Sequence, residues 1–291
     1  MGICLRNCET DVKQIVGRIN EQDFPHENME VIFVEEGSED DTLLEIFKHA
    51  PKMNPHYEIF HHKWKGLGFS RNVVLNNARG DYLVWVDDGT ILPKDYLRRT
   101  VDFMEKHLNV GIVHGILANY CGSNRVATLE NMVRMSNYNK DLGKYTLKLP
   151  ATSASVYRVK AARQVGGFDE RISGATEDMD IAYQMRSIGW VIFIIPVKYS
   201  TVYNEKMKQV WDKGFWYGYG SHFTLHKHKE LGEILYKSTP LSGFLQGILV
   251  SKFAYKLTHK KLAFLLPLFF FIKRIAFCLG FIKSHLDFYG C

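Results

Sequence analysis

The stretch Asp81–Pro93, DYLVWVDDGTILP, decides the fold. Tyr82 to Val86 is an unbroken apolar run of aromatic and branched residues, which favour strands. A run that short, with no polar alternation, is the pattern of a central strand covered on both faces. It stops at two carboxylates, Asp87 and Asp88, and Gly89 then permits a sharp turn. Open α/β sheets place their ligands beyond the carboxyl ends of strands. Two hard oxygen donors there suit Mg²⁺ or Mn²⁺ and, through the ion, a diphosphate. Asp-Asp-Gly is also ordinary turn chemistry. This stretch alone leaves a metal-binding strand end and a solvated turn both open.

Upstream, strands and helices alternate. Gly2–Arg6 reads as a first strand, and Asp11–Asn20 carries apolar residues at 12, 15, 16 and 19, a helical period. Met29–Val34 reads as a second strand, ending in Glu35, Glu36 and Gly37, and Thr42–His49 as the helix after it. Tyr57–His61 is a third, weaker strand. Gly66–Ala78 (GLGFSRNVVLNNA) opens with two glycines and runs on as a helix whose polar start, with Ser70, Arg71 and Asn72, offers donors to a phosphate. The third glycine of the dinucleotide fingerprint is missing. Three β/α alternations before residue 90 predict an α/β fold with a mainly parallel sheet and helices on both faces.

Downstream, Val110–Tyr120 reads as a strand, Arg125–Tyr145 as a polar helix, Ser153–Val159 as a strand and Val191–Pro196 as a last buried strand. Thr176–Gly189 is helical, with Glu177 and Asp178 in its first turn, where the helix dipole favours negative charge. Helix capping alone also explains that pair.

Hydrophobic content of 46% and charged content of 23% are those of a folded protein rather than a disordered one. The net charge of +6 is uneven: from Lys198 onward 14 Lys/Arg stand against 5 Asp/Glu, leaving the preceding part at −3. A basic tail on a mildly acidic body suits phosphates or anionic lipid, or is a solvated helix face. Cys4, Cys8, Cys121, Cys278 and Cys291 show neither zinc-type spacing nor a dense framework, which fits a reducing compartment. No secretory signal is expected at the N-terminus.

Glu205–His228 is aromatic and basic, with Trp211, Phe215, Trp216, Tyr217 and Tyr219 suited to an acceptor groove, a membrane interface or plain packing. Leu241–Thr258 and Leu262–Ile282 are hydrophobic. In the second, 14 Leu, Ile and Phe residues offer roughly −7 kcal/mol of insertion energy, which Lys273 and Arg274 cancel at roughly +5 to +7. Helices lying in the membrane interface are therefore expected, with Lys252, Lys256, Lys260, Lys261, Lys273 and Arg274 meeting lipid phosphate. A helical hairpin packed on the body or on a second subunit is the soluble alternative. The implied divisions are a catalytic domain over 1–204, an aromatic basic helical extension over 205–239 and a hydrophobic helical segment over 240–291.

Taken together and in order, EEGSEDDT, GLGFSRN, VDDGTILPKDYL, GGFDE and TEDMDIA resemble glycosyltransferase family 2. The resemblance covers about Ile3 to Gly220. It implies the GT-A fold and inverting transfer from a nucleotide-sugar to a glycan or lipid-linked acceptor, with a divalent metal, Mg²⁺ or Mn²⁺. It implies that Glu36, Arg71 and Asn72 contact the donor. Asp88 would hold the metal, with Asp87 supporting ribose or metal, although Gly89 stands where the family's motif has a third, acidic residue. It also implies that Asp178 is the catalytic base and that Glu177 lies on the acceptor side. His61-His62 and His226/His228 are candidate third metal ligands but more often surface or packing residues, and they stay outside the metal set. The implied place is the cytoplasmic face of the cell membrane, against anionic lipid, with no nucleic-acid partner.

Two rivals stand beside this reading. One is a catalytically weak GT-A-fold scaffold subunit of a glycan assembly complex, kept open by Gly89. The other is a nucleotide-dependent oxidoreductase, which the missing third glycine argues against.

Overall fold

The computed structural model describes residues 1–118, 122–138, 141–201, 206–232 and 238–289. The chain divides into two compact units. The first comprises Met1–Ile116, Asp141–Glu170 and Asp178–Thr201, and the second Leu117–Lys140, Arg171–Glu177 and Val202–Cys291. The expected extension over 205–239 and the segment over 240–291 fall together in the second unit, which also takes in 117–140 and 171–177. Glu205, Tyr120, Cys121 and Cys291 lie outside the described residues. Cys4, Cys8 and Cys278 are free thiols.

The first unit opens with three βα repeats. Strand β1 (Gly2–Leu5) leads to helix α1 (Val12–Asn20), β2 (Glu30–Glu35) to α2 (Thr42–His49) and β3 (His56–His61) to α3 (Leu67–Asn77). The three strands pair in parallel, with Ile3 opposite Phe33 and Phe33 opposite Ile59. The central strand β4 (Tyr82–Val84) joins them through a parallel bridge between Gly2 and Trp85. That approach needs a residue without a side chain: a Cβ on Gly2 would lie 2.5 Å from Val74 and 2.9 Å from the Trp85 ring.

Beyond β4 come β5 (Thr90–Ile91), α4 (Tyr96–Lys106), β6 (Val110–Leu117), β7 (Lys144–Thr146), β8 (Ser155–Arg158), α6 (Val159–Gln164), α7 (Glu177–Ser187) and β9 (Val191–Thr201), with α5 (Arg125–Tyr138) belonging to the second unit. The strand order is β4-β8-β6-β9-β5, with β7 added on β9. β4 and β6 each pair antiparallel with β8, as β5 and β7 do with β9. All eight residues of β6 are buried. The core joins both parts of the sheet: Ile32, Val34, Leu83, Trp85, Ile112 and Tyr157 pack with Val74 of α3 and Ile181 of α7. Trp85 meets Phe168 edge-on at 5.5 Å, an arrangement the ring quadrupoles favour.

Two expected boundaries move. The polar helix expected to Tyr145 stops at Tyr138, and Lys144–Thr146 forms an edge strand instead. The last strand continues past Pro196 to Thr201, because Pro196 is exposed and its carbonyl accepts a bond from Arg99 Nη2 at 3.2 Å.

In the second unit, α5 (Arg125–Tyr138), α8 (Met207–Lys227), α9 (Pro240–Thr258) and α10 (Leu266–Tyr289) pack around Leu129, Met132, Val210, Ala254, Leu266 and Phe270. Helices α8 and α10 touch backbone to backbone. A Cβ on Gly218 would sit 1.9 Å from the Phe277 carbonyl oxygen, and one on Gly280 equally close to that of Phe215. Lys261–Tyr289 has the length and apolarity to cross a membrane. Its mid-segment cations, however, face protein. Lys273 Nζ lies 2.6 Å from Glu130 Oε2, and Arg274 donates to Ser238 Oγ at 3.5 Å and Gln246 Oε1 at 3.4 Å. The expectation that these two meet lipid phosphate is thereby corrected, since both are drawn inward by polar partners on α5 and around α9. Lys252, Lys256, Lys260 and Lys261 are exposed.

Candidate active site

The acidic pair that ends β2 splits between two jobs. Glu35 is buried and committed to the fold: Oε1 accepts from the Ser38 N–H at 2.6 Å and Oε2 meets His61 Nδ1 at 2.5 Å. Burial would raise its pKa, but these bonds hold it below the ordinary carboxylate value. Glu36 is equally buried, yet its Oε1 has no hydrogen-bond partner among the described residues. Burial pushes its pKa up to about 7, against the opposing pull of the Ser70 hydroxyl and the Arg71 and Arg6 guanidiniums. A buried carboxylate oxygen without a partner is a costly feature unless a ligand supplies the donor. Glu36 is therefore the one of the pair suited to a ligand hydroxyl or amine.

Ser70 and Arg71 come from α3, which Gly66 starts at φ +100°, a backbone setting that suits only glycine. Arg71 is buried, between the Trp85 and Phe168 rings at 6.0 and 5.8 Å. Nη2 lies 3.9 Å from Oδ1 of Asp87. Burial disfavours the cation, but Asp87 and then Asp178 outweigh it and raise its pKa. The guanidinium is thus a fixed positive charge shared by carboxylates from two parts of the chain.

Asn72 does not join this group. Its side-chain oxygen accepts from the Phe168 N–H at 2.8 Å, and its amide donates to the Phe168 carbonyl at 2.9 Å and to Glu170 Oε1 at 2.8 Å. It clamps the GGFDE turn onto α3. Gly167, at φ +81°, is what makes room, since a Cβ there would lie 2.6 Å from Asn72 Oδ1.

Asp87 and Asp88 leave the central strand as expected. Asp87 is half-buried beside Arg71, and Asp88 is exposed. Gly89 sits at φ +68°, a left-handed setting that strains most side chains, which accounts for glycine at the motif's third position. The donor set fits a hard divalent cation, being two carboxylates of which one reaches solvent. His61 is held by Glu35, and His62 Nε2 lies 3.3 Å from Ser70 Oγ, so the structure gives both a place in the fold.

Asp178 is the second residue of α7 and half-buried. Its Oδ1 accepts from the Met179 N–H at 2.7 Å. Burial raises its pKa, opposed by Arg71 and by backbone N–H groups of Met179 and Thr152. The ionised form therefore leans on Arg71 and these backbone bonds as well as on the start of a helix. Glu177, one residue earlier, is buried. Thr176 enters this turn at φ +101°, an outlier for a β-branched residue, and its hydroxyl lies 2.7 Å from that of Thr224.

An open α/β sheet with carboxylates at the ends of β2 and the central strand defines a GT-A-type fold. The family profile described as Glycosyl transferase family 2 matches residues 2–166, more than half the chain. The chain belongs to glycosyl transferase family 2. The poly(ribitol-phosphate) beta-N-acetylglucosaminyltransferase TarS of Staphylococcus aureus is 30% identical over 101 residues, 35% of this chain and 18% of that protein. The chain thus spans less than a fifth of that relative. Among solved structures, the mannosyltransferase PcManGT from Pyrobaculum calidifontis in complex with GDP-Man and Mn²⁺ superposes with a TM-score of 0.71 at 15% identity, covering 98% of this chain and 86% of that one. TarS residues 1–349 with UDP-GlcNAc give 0.55 at 17% identity, over 94% and 80%. Both likenesses speak to the fold.

Proposed function

We propose that the chain is an inverting glycosyltransferase that moves a sugar from a nucleotide-sugar donor to a glycan or lipid-linked acceptor. The observation that carries this reading is the buried Arg71, whose charge is shared by Asp87 on the donor side and Asp178 on the base side. Glu36 receives the base or ribose through its unpartnered oxygen, and Arg71 steadies diphosphate charge. Asp88, supported by Asp87, would hold a divalent ion. When bound, that ion supplies charge stabilisation to the departing nucleoside diphosphate. Asp178 takes the proton from the acceptor hydroxyl as its oxygen bonds to the anomeric carbon. The bond from that carbon to the diphosphate oxygen breaks, and its electron pair leaves with the diphosphate. Asn72 and Glu177 hold the surrounding turns and do no chemistry.

Structural neighbours bound to GDP-Man and UDP-GlcNAc set the starting donors for a test. Calorimetry of GDP and UDP with and without Mn²⁺ should show metal-dependent binding that Asp88→Ala abolishes. Affinity unchanged in Asp88→Ala refutes the metal assignment. Full donor binding with no turnover on any acceptor favours the scaffold reading.

We also place the chain at the inner face of the cell membrane. On α9, Leu241, Leu245 and Leu249 are 69%, 55% and 70% exposed and share one stripe with Lys252 and Lys256. Apolar residues flanked by lysines on one helix face suit an anionic lipid surface.

A further inference from the structure

Three histidines lie together at the C-terminal ends of α8 and α10: His222, His226 and His285. None is among the donor-site residues. His222 and His226 are four residues apart, which puts both on one face of α8. The glycine contact between α8 and α10 one turn earlier, at Gly218 and Gly280, fixes the register that brings His285 to them. The ligand nitrogens of all three lie within 4.8 Å of one another, and His222 Nε2 is 3.2 Å from His285 Nδ1. Two imidazole nitrogens bound to one tetrahedral Zn²⁺ at about 2.0–2.1 Å would stand roughly 3.3 Å apart.

The surroundings complete the arrangement. His222 is buried, and its Nδ1 lies 3.2 Å from Oγ of the buried Ser284. A Nδ1–H donated to that hydroxyl leaves the Nε2 lone pair pointing at the other two rings, which is how metal-bound imidazoles are commonly oriented. His226 and His285 are exposed, so their rings turn inward without repacking the core. A pocket lined by Arg171, Lys227, Phe288 and Tyr289 adjoins His222 and His226 and opens a fourth position to an anion or water.

We propose that His222, His226 and His285 form a binding site for a borderline divalent transition metal, Zn²⁺ foremost, that ties α8 to α10. Imidazole sets of this kind prefer Zn²⁺ over the hard ions that carboxylates hold. The rival is a plain His222–His285 hydrogen bond with Ser284 donating to the ring.

The test uses the full chain, stripped with chelator and titrated with Zn²⁺ and with Co²⁺ alone. Besides any ion that Asp88→Ala removes, one ion should bind to the parent and equally to Asp88→Ala, with the visible Co²⁺ bands of a low-coordinate nitrogen site and a rise in melting temperature. His226→Gln and His285→Gln, both at exposed positions, should lose that ion. Ser284→Ala should weaken it by about 10–100-fold, the usual effect of removing a group that orients a ligand. Circular dichroism of the metal-free variants controls for folding. If the parent binds no Zn²⁺ beyond what Asp88→Ala removes, or if both His variants keep parental affinity, the site does not exist and the hydrogen-bond rival stands.

Discussion

Arg71 Nη2 lies 3.9 Å from Asp87 Oδ1, and both Asp87 and Asp178 raise the pKa of that one buried guanidinium. Under the proposed function, that one residue links the donor side and the base side electrostatically. The consequence is measurable. Arg71→Met should weaken nucleoside diphosphate binding, and it should also move the acid limb of the kcat/KM profile. Burial already raises the Asp178 pKa and Arg71 opposes that rise. Without the cation the pKa climbs further, so the base is ionised only at higher pH and the limb shifts upward. A pH–rate profile that falls in amplitude without shifting would show that Arg71 acts on the donor alone.

Glu36 gives a second pH signature. Its pKa rises from an ordinary 4.5 to about 7 in the folded chain, chiefly through burial. The folded state thus binds the proton more tightly than the unfolded one, and stability falls as pH climbs from about 4.5 to 7. Glu36→Gln removes that slope. Chemical denaturation at pH 5 and pH 8 should show the parent losing on the order of 2–3 kcal/mol more than the variant across the interval. Parallel curves would mean that the carboxylate finds a compensating partner.

The pair Glu130 and Lys273 should matter to the C-terminal helices. Glu130 is held ionised, its pKa lowered to about 2 because Lys273 and Arg134 outweigh burial. Removing one partner of a buried pair typically costs about 3–5 kcal/mol, with Arg134 at 3.5 Å from Glu130 offsetting part of that when Lys273 is lost, whereas replacing both is often near neutral. Glu130→Gln or Lys273→Met should lower the melting temperature markedly, and Glu130→Leu with Lys273→Met should restore much of it. Single variants that melt like the parent would mark the pair as solvated.

The exposed stripe on α9 predicts lipid binding. Full chain should float with phosphatidylglycerol vesicles and much less with phosphatidylcholine alone. Leu245→Glu with Leu249→Glu should leave the protein in the bottom fraction with its melting temperature unchanged, since both side chains are more than half exposed. Flotation of that variant like the parent would assign the stripe to another role.

How much of this was legible beforehand depends on how far apart the partners lie. The central strand and the three βα repeats were readable because periodicity and turn residues are local: α2 runs over Thr42–His49 as read. The direction of β8 and β9 was not, because a short apolar strand looks alike in either orientation. Asn72 beside a glycine-rich helix start reads as a donor ligand, but its partner Phe168 lies 96 residues on. Glu130 is 143 residues from Lys273, so the cation looked available to lipid. His222 and His285, 63 residues apart, were missed in the same way. The spacing of His222 and His226 was the one local signal, and His228, the neighbour that was singled out with His226, is not in the cluster.

Asp178 carries the sharpest prediction. Its carboxylate is oriented by the Met179 N–H at 2.7 Å and partly shielded from water. Burial raises its pKa against the pull of Arg71 and of backbone N–H groups, and the proposed base has to be ionised to take the acceptor's proton. Asp178→Asn keeps the size and the ability to accept the Met179 bond but removes the basicity. Turnover should fall by ~10²–10⁴, the usual contribution of a positioned base. Donor affinity should change little, because Arg71 keeps Asp87 as its closer partner. Single-turnover transfer alongside donor titration separates the two effects. Transfer at near the parental rate would remove Asp178 from the chemistry, and a loss confined to donor binding would move it to the donor side.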